Sequence, residues 1–187
     1  MEFFEDQQQT NLTGSLLIAD PSLRDPGFGR SVVLLARHES DEGASGFIIN
    51  KPLGKSVSDL VTLDELGDLA EIPVYLGGPV STEQLTFASM TWREDSEKLD
   101  YETHLSSEDA AHRLHEGFSI RAFVGYSGWS EGQLESEIKG RSWIIKEPDE
   151  TIADVSSCQE ELWGDQLRSM GPHGQLLADM PEDPSMN

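Results

Sequence analysis

Residues 119–135 constrain the fold more tightly than any other part of the chain. The run Ser119-Ile120-Arg121-Ala122-Phe123-Val124 alternates and ends apolar, as a strand entering a core does. It leads into Gly125-Tyr126-Ser127-Gly128-Trp129-Ser130-Glu131-Gly132, which holds three glycines and two large aromatics, and then into Gln133-Leu134-Glu135. Ser130 followed by Gln133 has the spacing of a capping box. The expectation is a strand over 119–125, a glycine-rich turn and a helix over 131–139 ended by Gly140. Such a turn stands where backbone N–H groups are unspent and can hold a ligand.

A chain of 187 residues with 36% hydrophobic content can bury one core without staples. The single cysteine, Cys158, excludes an internal disulfide framework and fits a reducing compartment. No apolar run is long enough to span a membrane, and the acidic start lacks the basic and apolar parts of a signal peptide. A cytoplasmic location and no membrane partner are expected. The 13 basic and 35 acidic residues give a formal charge of −22, a field that repels phosphates. Arg24 with Arg30 and Lys139 with Arg141 are the best candidates for a basic patch, and both are small and flanked by acids. No nucleic-acid partner is expected.

Along the chain, strands are expected at Leu16–Ala19, Ser31–Arg37, Gly46–Asn50, Val74–Leu76, Leu85–Met90 and Ser142–Lys146. The second and third read as a hairpin turned at Asp41-Glu42-Gly43. Helices are expected around Val57–Val61 capped by Ser56, with Leu63–Leu69 as a continuation. Two more are expected over Ser107–Glu116, stopped by Gly117, and over Gln159–Met170. Thr91–Tyr101 is too charged to assign. Residues 1–11 read as a disordered tail and 172–187 as a flexible one, leaving a single α+β domain over 12–171.

Four motifs in order resemble the YqgE/AlgH family over roughly Leu12 to Met170. They are Leu17-Ile18-Ala19-x-Pro21-x-Leu23-x-Asp25-Pro26-x-Phe28, Gly46-Phe47-Ile48-Ile49-Asn50-Lys51-Pro52-Leu53, Gly77-Gly78-Pro79-Val80, and Gly125-Tyr126-x-Gly128-Trp129-x-x-Gly132-Gln133-Leu134-Glu135-x-Glu137. The resemblance implies a small bacterial-type protein with a complex α+β fold, a mixed or barrel-like sheet and flanking helices. The family name, shared with a regulator of alginate synthesis, implies a regulatory role and no particular reaction. This chain departs from the pattern in the acidity of Trp92–Thr103. It departs again before Trp163, where Glu160-Glu161-Leu162 replaces the usual proline and basic residue.

Several arrangements suggest catalysis and fall short of it. Gly54-Lys55-Ser56 ends like a phosphate loop, but Ile49 stands where the loop needs glycine, leaving a helix cap beside a surface lysine. Gly125-Tyr126-Ser127-Gly128-Trp129 nearly spells a nucleophile elbow, but Trp129 crowds the place of the last glycine. A hydrolase would have to use Ser127 or His38, and His38 reads more simply as a hydrogen-bonded structural histidine. Glu108, His112, His115 and Glu116 share one helix face without further metal ligands. Cys158 sits among acids that work against a thiolate. No metal or cofactor is expected.

The remaining reading is a binding module. Asn50, Lys51, Gly77, Gly78, Gly125, Tyr126, Gly128, Trp129 and Gln133 belong to three turns, and convergence of those turns would give a polar-rimmed cleft. Its occupant is expected to be a small anionic ligand or a protein segment.

Overall fold

The tetrapeptide Leu16–Ala19 forms strand β1 in a computed structural model whose described residues are 11–62, 66–155 and 159–182. All four side chains are buried. Leu16 and Ile18 face one core, Leu17 and Ala19 another, as the two-residue period of a strand requires. Each such fully buried Leu or Ile contributes about 1.5–3 kcal/mol. β1 pairs antiparallel with β2 (Val32–Glu39) and with β9 (Trp143–Lys146). β2 turns into β3 (Gly43–Ile48), which completes the expected hairpin but starts and ends earlier than expected.

Four further strands, two of them paired as a hairpin, precede the first helix and the long strand β8. These are β4 (Pro52–Ser56), β5 (Pro73–Leu76) and the hairpin of β6 (Val80–Arg93) with β7 (Lys98–Leu105). After α1 (Ser107–His115) comes β8 (Ser119–Trp129). The strand order is β4-β5-β8-β3-β2-β1-β9, with β6 also on β8 and β7 on β6. Only the β5–β8 pairing is parallel. The sheet curls into a half-barrel, so the fold is α+β in one domain.

Helices cover the sheet where it is apolar. α1 opens at Ser106, whose hydroxyl accepts from Asp109 N–H, and stops before Gly117 at φ +90°. Its Ala110 packs with Val57, Val74, Phe87 and Ile120. α2 (Gln133–Lys139) lays Leu134 on the β1–β2–β3 face beside Trp129 and Trp143. α3 (Leu162–Arg168) caps the opposite face, and its Trp163 indole donates to Ala19 O at 2.8 Å.

Several expectations are corrected. The segment 125–129, read as a turn, continues strand β8, because its backbone pairs with β3 and β6. Ser130 is not the cap of α2; Gly132, left-handed at φ +71°, holds that place. The segment before Val57 is a strand, and Ser56 caps a short 3-10 turn, Val57–Asp59, rather than an α-helix. Residues 63–65 of the expected continuation lie outside the described residues, and Gly67–Glu71 is a second 3-10 turn. The unassigned charged stretch is the β6–β7 hairpin, whose exposed end is tied by Arg93 to Asp100 at 2.7 Å. The last expected helix begins three residues later, at Leu162. The tail expected from Pro172 begins with α4 (Pro172–Ala178), whose Ala178 joins the main core. Residues 1–10 lie outside the described residues.

Candidate ligand-binding groove

The glycine-rich motif contributes two kinds of residue. Gln133, Glu135 and Glu137 fasten α2 to the sheet. Gln133 accepts from Ser130 N–H at 3.1 Å and donates to Glu137 Oε1 at 2.9 Å. Glu137 Oε2 accepts from Trp129 Nε1 at 2.9 Å and from Trp143 Nε1 at 2.7 Å. Glu135 meets His38 Nε2 at 2.7 Å. These bonds satisfy polar groups that burial would otherwise leave costly.

Gly125, Tyr126 and Gly128 instead shape open space. The two glycine pairs do converge, but on each other. A Cβ on Gly77 would stand 2.3 Å from Gly125 O, and one on Gly78, at φ +153°, 2.3 Å from Tyr126 C and O. The chains cross at backbone contact, which only glycine permits. The free donors expected of a turn are thereby largely replaced by ladder pairing to β3 and β6.

Asn50 and Lys51 are drawn away to the loop after β1. Asn50 is buried, accepts from Val32 N–H at 2.8 Å and donates to Arg30 O at 2.9 Å. Lys51 Nζ donates to Gly27 O at 2.7 Å. Burial lowers its pKa below the ordinary lysine value, and nearby Asp25 opposes that shift. The cleft expected from three turns is therefore not assembled. Of the nine residues, Tyr126, Gly128 and Trp129 line the concavity described next, Gly125 lines a smaller cavity beside it, and Asn50, Lys51, Gly77, Gly78 and Gln133 line neither.

That concavity is a groove of about 740 Å³ lined by residues of β2, β3, β7 and β8. Small residues from three strands, Ala36, Ser45 and Gly128, leave its floor unfilled. The Tyr126 ring lies back over Gly128, where a Cβ would stand 3.3 Å from Cε2. Opposite, β7 supplies Thr103 and His104. His104 adopts φ +59°, a left-handed backbone that costs a non-glycine residue about 1–2 kcal/mol. It lies at an irregularity in the β6–β7 register, the kind of place where a bulge re-aims a side chain. Its ring stands 5.4 Å from that of Phe47. A second cavity of about 200 Å³ shares His104 and Tyr126 with the first and is bordered by Ser81, also left-handed at φ +52°. Arg37 at the groove's rim is held by Glu39 at 2.6 Å and by Glu42, so it is not a free cation for an anion.

The catalytic alternatives meet poor geometry. The Ser127 hydroxyl is completely buried and donates to Gly77 O at 3.0 Å. His38 is buried with Leu12 N–H on Nδ1 and Glu135 on Nε2. Neither residue presents a reactive atom to a cavity shared with the other, so this geometry lends the hydrolase reading through Ser127 or His38 no support. Ser56 makes a capping box with Asp59, as a cap rather than a phosphate loop requires. His112 and His115 are exposed beside Glu116 and Asp68. No group of three His, Cys, Asp or Glu among the described residues is placed to hold a metal ion. Cys158 lies outside the described residues. No helix among them is long and apolar enough to cross a membrane.

Two residues escaped the sequence reading. His104 carries no local signal, since its conformation depends on how β6 and β7 pair. Arg121 did carry one: strand parity puts it on the same inner face as Phe123. It is fully buried, donates to Ile152 O at 2.7 Å and lies 5.5 Å from the Tyr75 ring centroid. Burial pushes its pKa below the ordinary guanidinium value, against the pull of Tyr75 and Asp154.

Comparison with known proteins agrees with the fold. A family model described as AlgH-like matches residues 16–175. A UPF0301 protein of Streptomyces avermitilis is 37% identical, over 95% of this chain and 96% of the relative. Another, from Parabacteroides distasonis, is 34% identical over 94% and 91% of the two chains. The solution structure of the AlgH protein from Pseudomonas aeruginosa superposes with a TM-score of 0.63 at 26% identity, covering 95% of this chain and 98% of that one. A crystal structure of a Corynebacterium diphtheriae protein, 21% identical, reaches a TM-score of 0.68 over 90% and 92% of the chains and shows the same fold.

Proposed function

The chain belongs to the AlgH-like family, and from that premise we propose that it is a non-catalytic binding module whose ligand lies in the groove between Tyr126 and His104. The observation that carries this reading is the meeting of two cavities at those two side chains, one of them held in a strained backbone. Strain is retained where the surroundings over-determine it, and binding sites are a common place for it. Tyr126, with one face over Gly128, offers a flat surface, and Ser45 and Thr103 offer hydroxyls. With Arg37 already paired, this lining suits an uncharged planar group with hydrogen-bonding edges, from a small molecule or a peptide side chain, better than an anion. Any regulatory effect would act through that ligand or a protein partner, since a charge of −22 opposes nucleic acid.

The test is a titration with adenosine, tryptophan, indole and inorganic phosphate, followed by NMR shifts of the Tyr126 and His104 amides. Binding of a ring compound that is weakened about tenfold or more by Tyr126→Ala and little by Tyr126→Phe supports the reading. Binding that ignores both Tyr126→Ala and His104→Ala would place the site elsewhere and sink it.

A further inference from the structure

The N-terminal segment is held at His38. Leu12 N–H donates to His38 Nδ1 at 3.0 Å, and His38 N–H donates to Thr13 Oγ1 at 2.9 Å. Gly14 N–H adds a bond to Leu35 O at 2.8 Å, and Leu12 packs against the core of Leu17, Val33 and Leu35. The His38 side chain is 3% exposed, with Nε2 at 2.7 Å from Glu135 Oε1.

These partners fix the protonation state. An Nδ1 that accepts from a backbone N–H carries no proton, so the proton sits on Nε2 and points to Glu135. A neutral ring can serve both partners. An imidazolium can serve only Glu135, because its new Nδ1–H would face the N–H of Leu12. From this geometry we propose that His38 is a proton-operated latch for the segment Asn11–Gly14: the neutral ring holds it, and the protonated ring lets Leu12 go while keeping Glu135.

Charged groups face the ring from two sides. α2 presents Glu135, and the β2–β3 turn brings Glu39 and Asp41 to the cavity of about 300 Å³ that His38 and Asn11 share. Arg37 lies beyond Glu39, which it binds at 2.6 Å. The N-terminal segment faces the ring with the uncharged Asn11 and Thr13, and β3 places Ala44 opposite. Protonation takes the lone pair that Leu12 N–H uses and leaves the Nε2–H bond to Glu135, so the loss falls on the Leu12 bond. The sign follows from proton counting. The docked segment requires a neutral ring and the released one does not, so docking is complete at high pH and lost as pH falls through the His38 titration.

Amide hydrogen exchange of Leu12 and Gly14 in the full chain tests the latch, with the His38 ring titration followed in the same samples from pH 8 downward. Leu12 protection, corrected for intrinsic exchange, is expected to fall about tenfold with the same midpoint as the ring, comparable to losing one buried hydrogen bond. His38→Asn places Oδ1 where Nδ1 was and does not titrate, so it should hold the segment at every pH. His38→Phe, which has no acceptor for Leu12 N–H, should leave that amide poorly protected at every pH. Two results overturn the proposal: Leu12 protection that does not track the ring, or a ring that stays neutral until the whole chain unfolds. If His38→Asn fails to fold, the wild-type comparison of ring and amide still decides.

Discussion

Trp143 donates its indole N–H to Glu137 Oε2 at 2.7 Å, and shares that oxygen with Trp129. One carboxylate thus satisfies two buried tryptophans on different strands and, through Gln133, the approach to its own helix. Glu137→Ala would strand both indoles in the core at a cost of about 2–4 kcal/mol, and Glu137→Gln, which keeps one acceptor, about half that. Urea unfolding checks the order; an alanine variant as stable as the glutamine one would refute the shared-acceptor account.

Arg121 bridges strands to the segment after β9 by donating to main-chain carbonyls. Its Nε has no hydrogen-bond partner among the described residues. Arg121→Ala is expected to lose about 3–5 kcal/mol through a cavity and orphaned carbonyls. Arg121→Met fills the space without the desolvation cost and should lose distinctly less. Equal losses in calorimetry would mean that the guanidinium's hydrogen bonds dominate its packing.

Asp149 titrates low despite its surroundings. Burial alone would raise its pKa, but hydrogen bonds from Lys146, Thr151 and Gln166, with the charge of Lys146, outweigh it. A carboxylate depressed in the folded state contributes stability above its unfolded pKa of about 3.9, lost as pH falls through the lower folded value. Asp149→Asn should therefore flatten the acid limb of stability below about pH 4 and leave its shape near neutrality unchanged. Unfolding midpoints measured at successive pH values would show an unaltered acid limb if the network were unimportant.

Salt should stabilise the fold. A formal charge of −22 repels itself in the compact state, and screening shortens from roughly 10 to 3 Å between about 0.1 and 1 M salt. Melting temperature is expected to rise over that range in potassium chloride. A flat response would mean that the acids are already paired or too dispersed to matter.

His104→Gly separates strain from packing. Glycine accepts φ +59° freely, but the variant loses the ring against Phe47 and raises the entropy of the unfolded chain. These effects oppose each other, so stability should stay within about 1 kcal/mol of wild type while groove binding is lost. A much larger destabilisation would identify His104 as a packing residue only.

What could be read beforehand was whatever neighbours in sequence determine. β1 was legible because four apolar residues need no distant partner to announce burial, and α1 because its serine start and Gly117 stop are local. β4 was not, since Pro52–Ser56 is an edge strand exposed along most of its length, and its polar residues read as loop. Asn50 and Gln133 carry amides suited to a binding rim, but those amides bond to backbone and side chains of this chain. The groove was half legible. Tyr126 and Gly128 stand in the motif, whereas His104 faces them only through the pairing of β6 with β7 and β8.

β8 joins β3, β5 and β6 within eleven residues, and this has a consequence for synthesis. Until Trp129 has left the ribosome, the earlier strands lack the partner that unites them, and their edges wait unpaired. The sheet must close late and over long sequence separations, a topology that folds slowly and exposes sticky edges meanwhile. A nascent chain arrested before residue 119 should accordingly be held by chaperones, while one released beyond Lys146 can shed them.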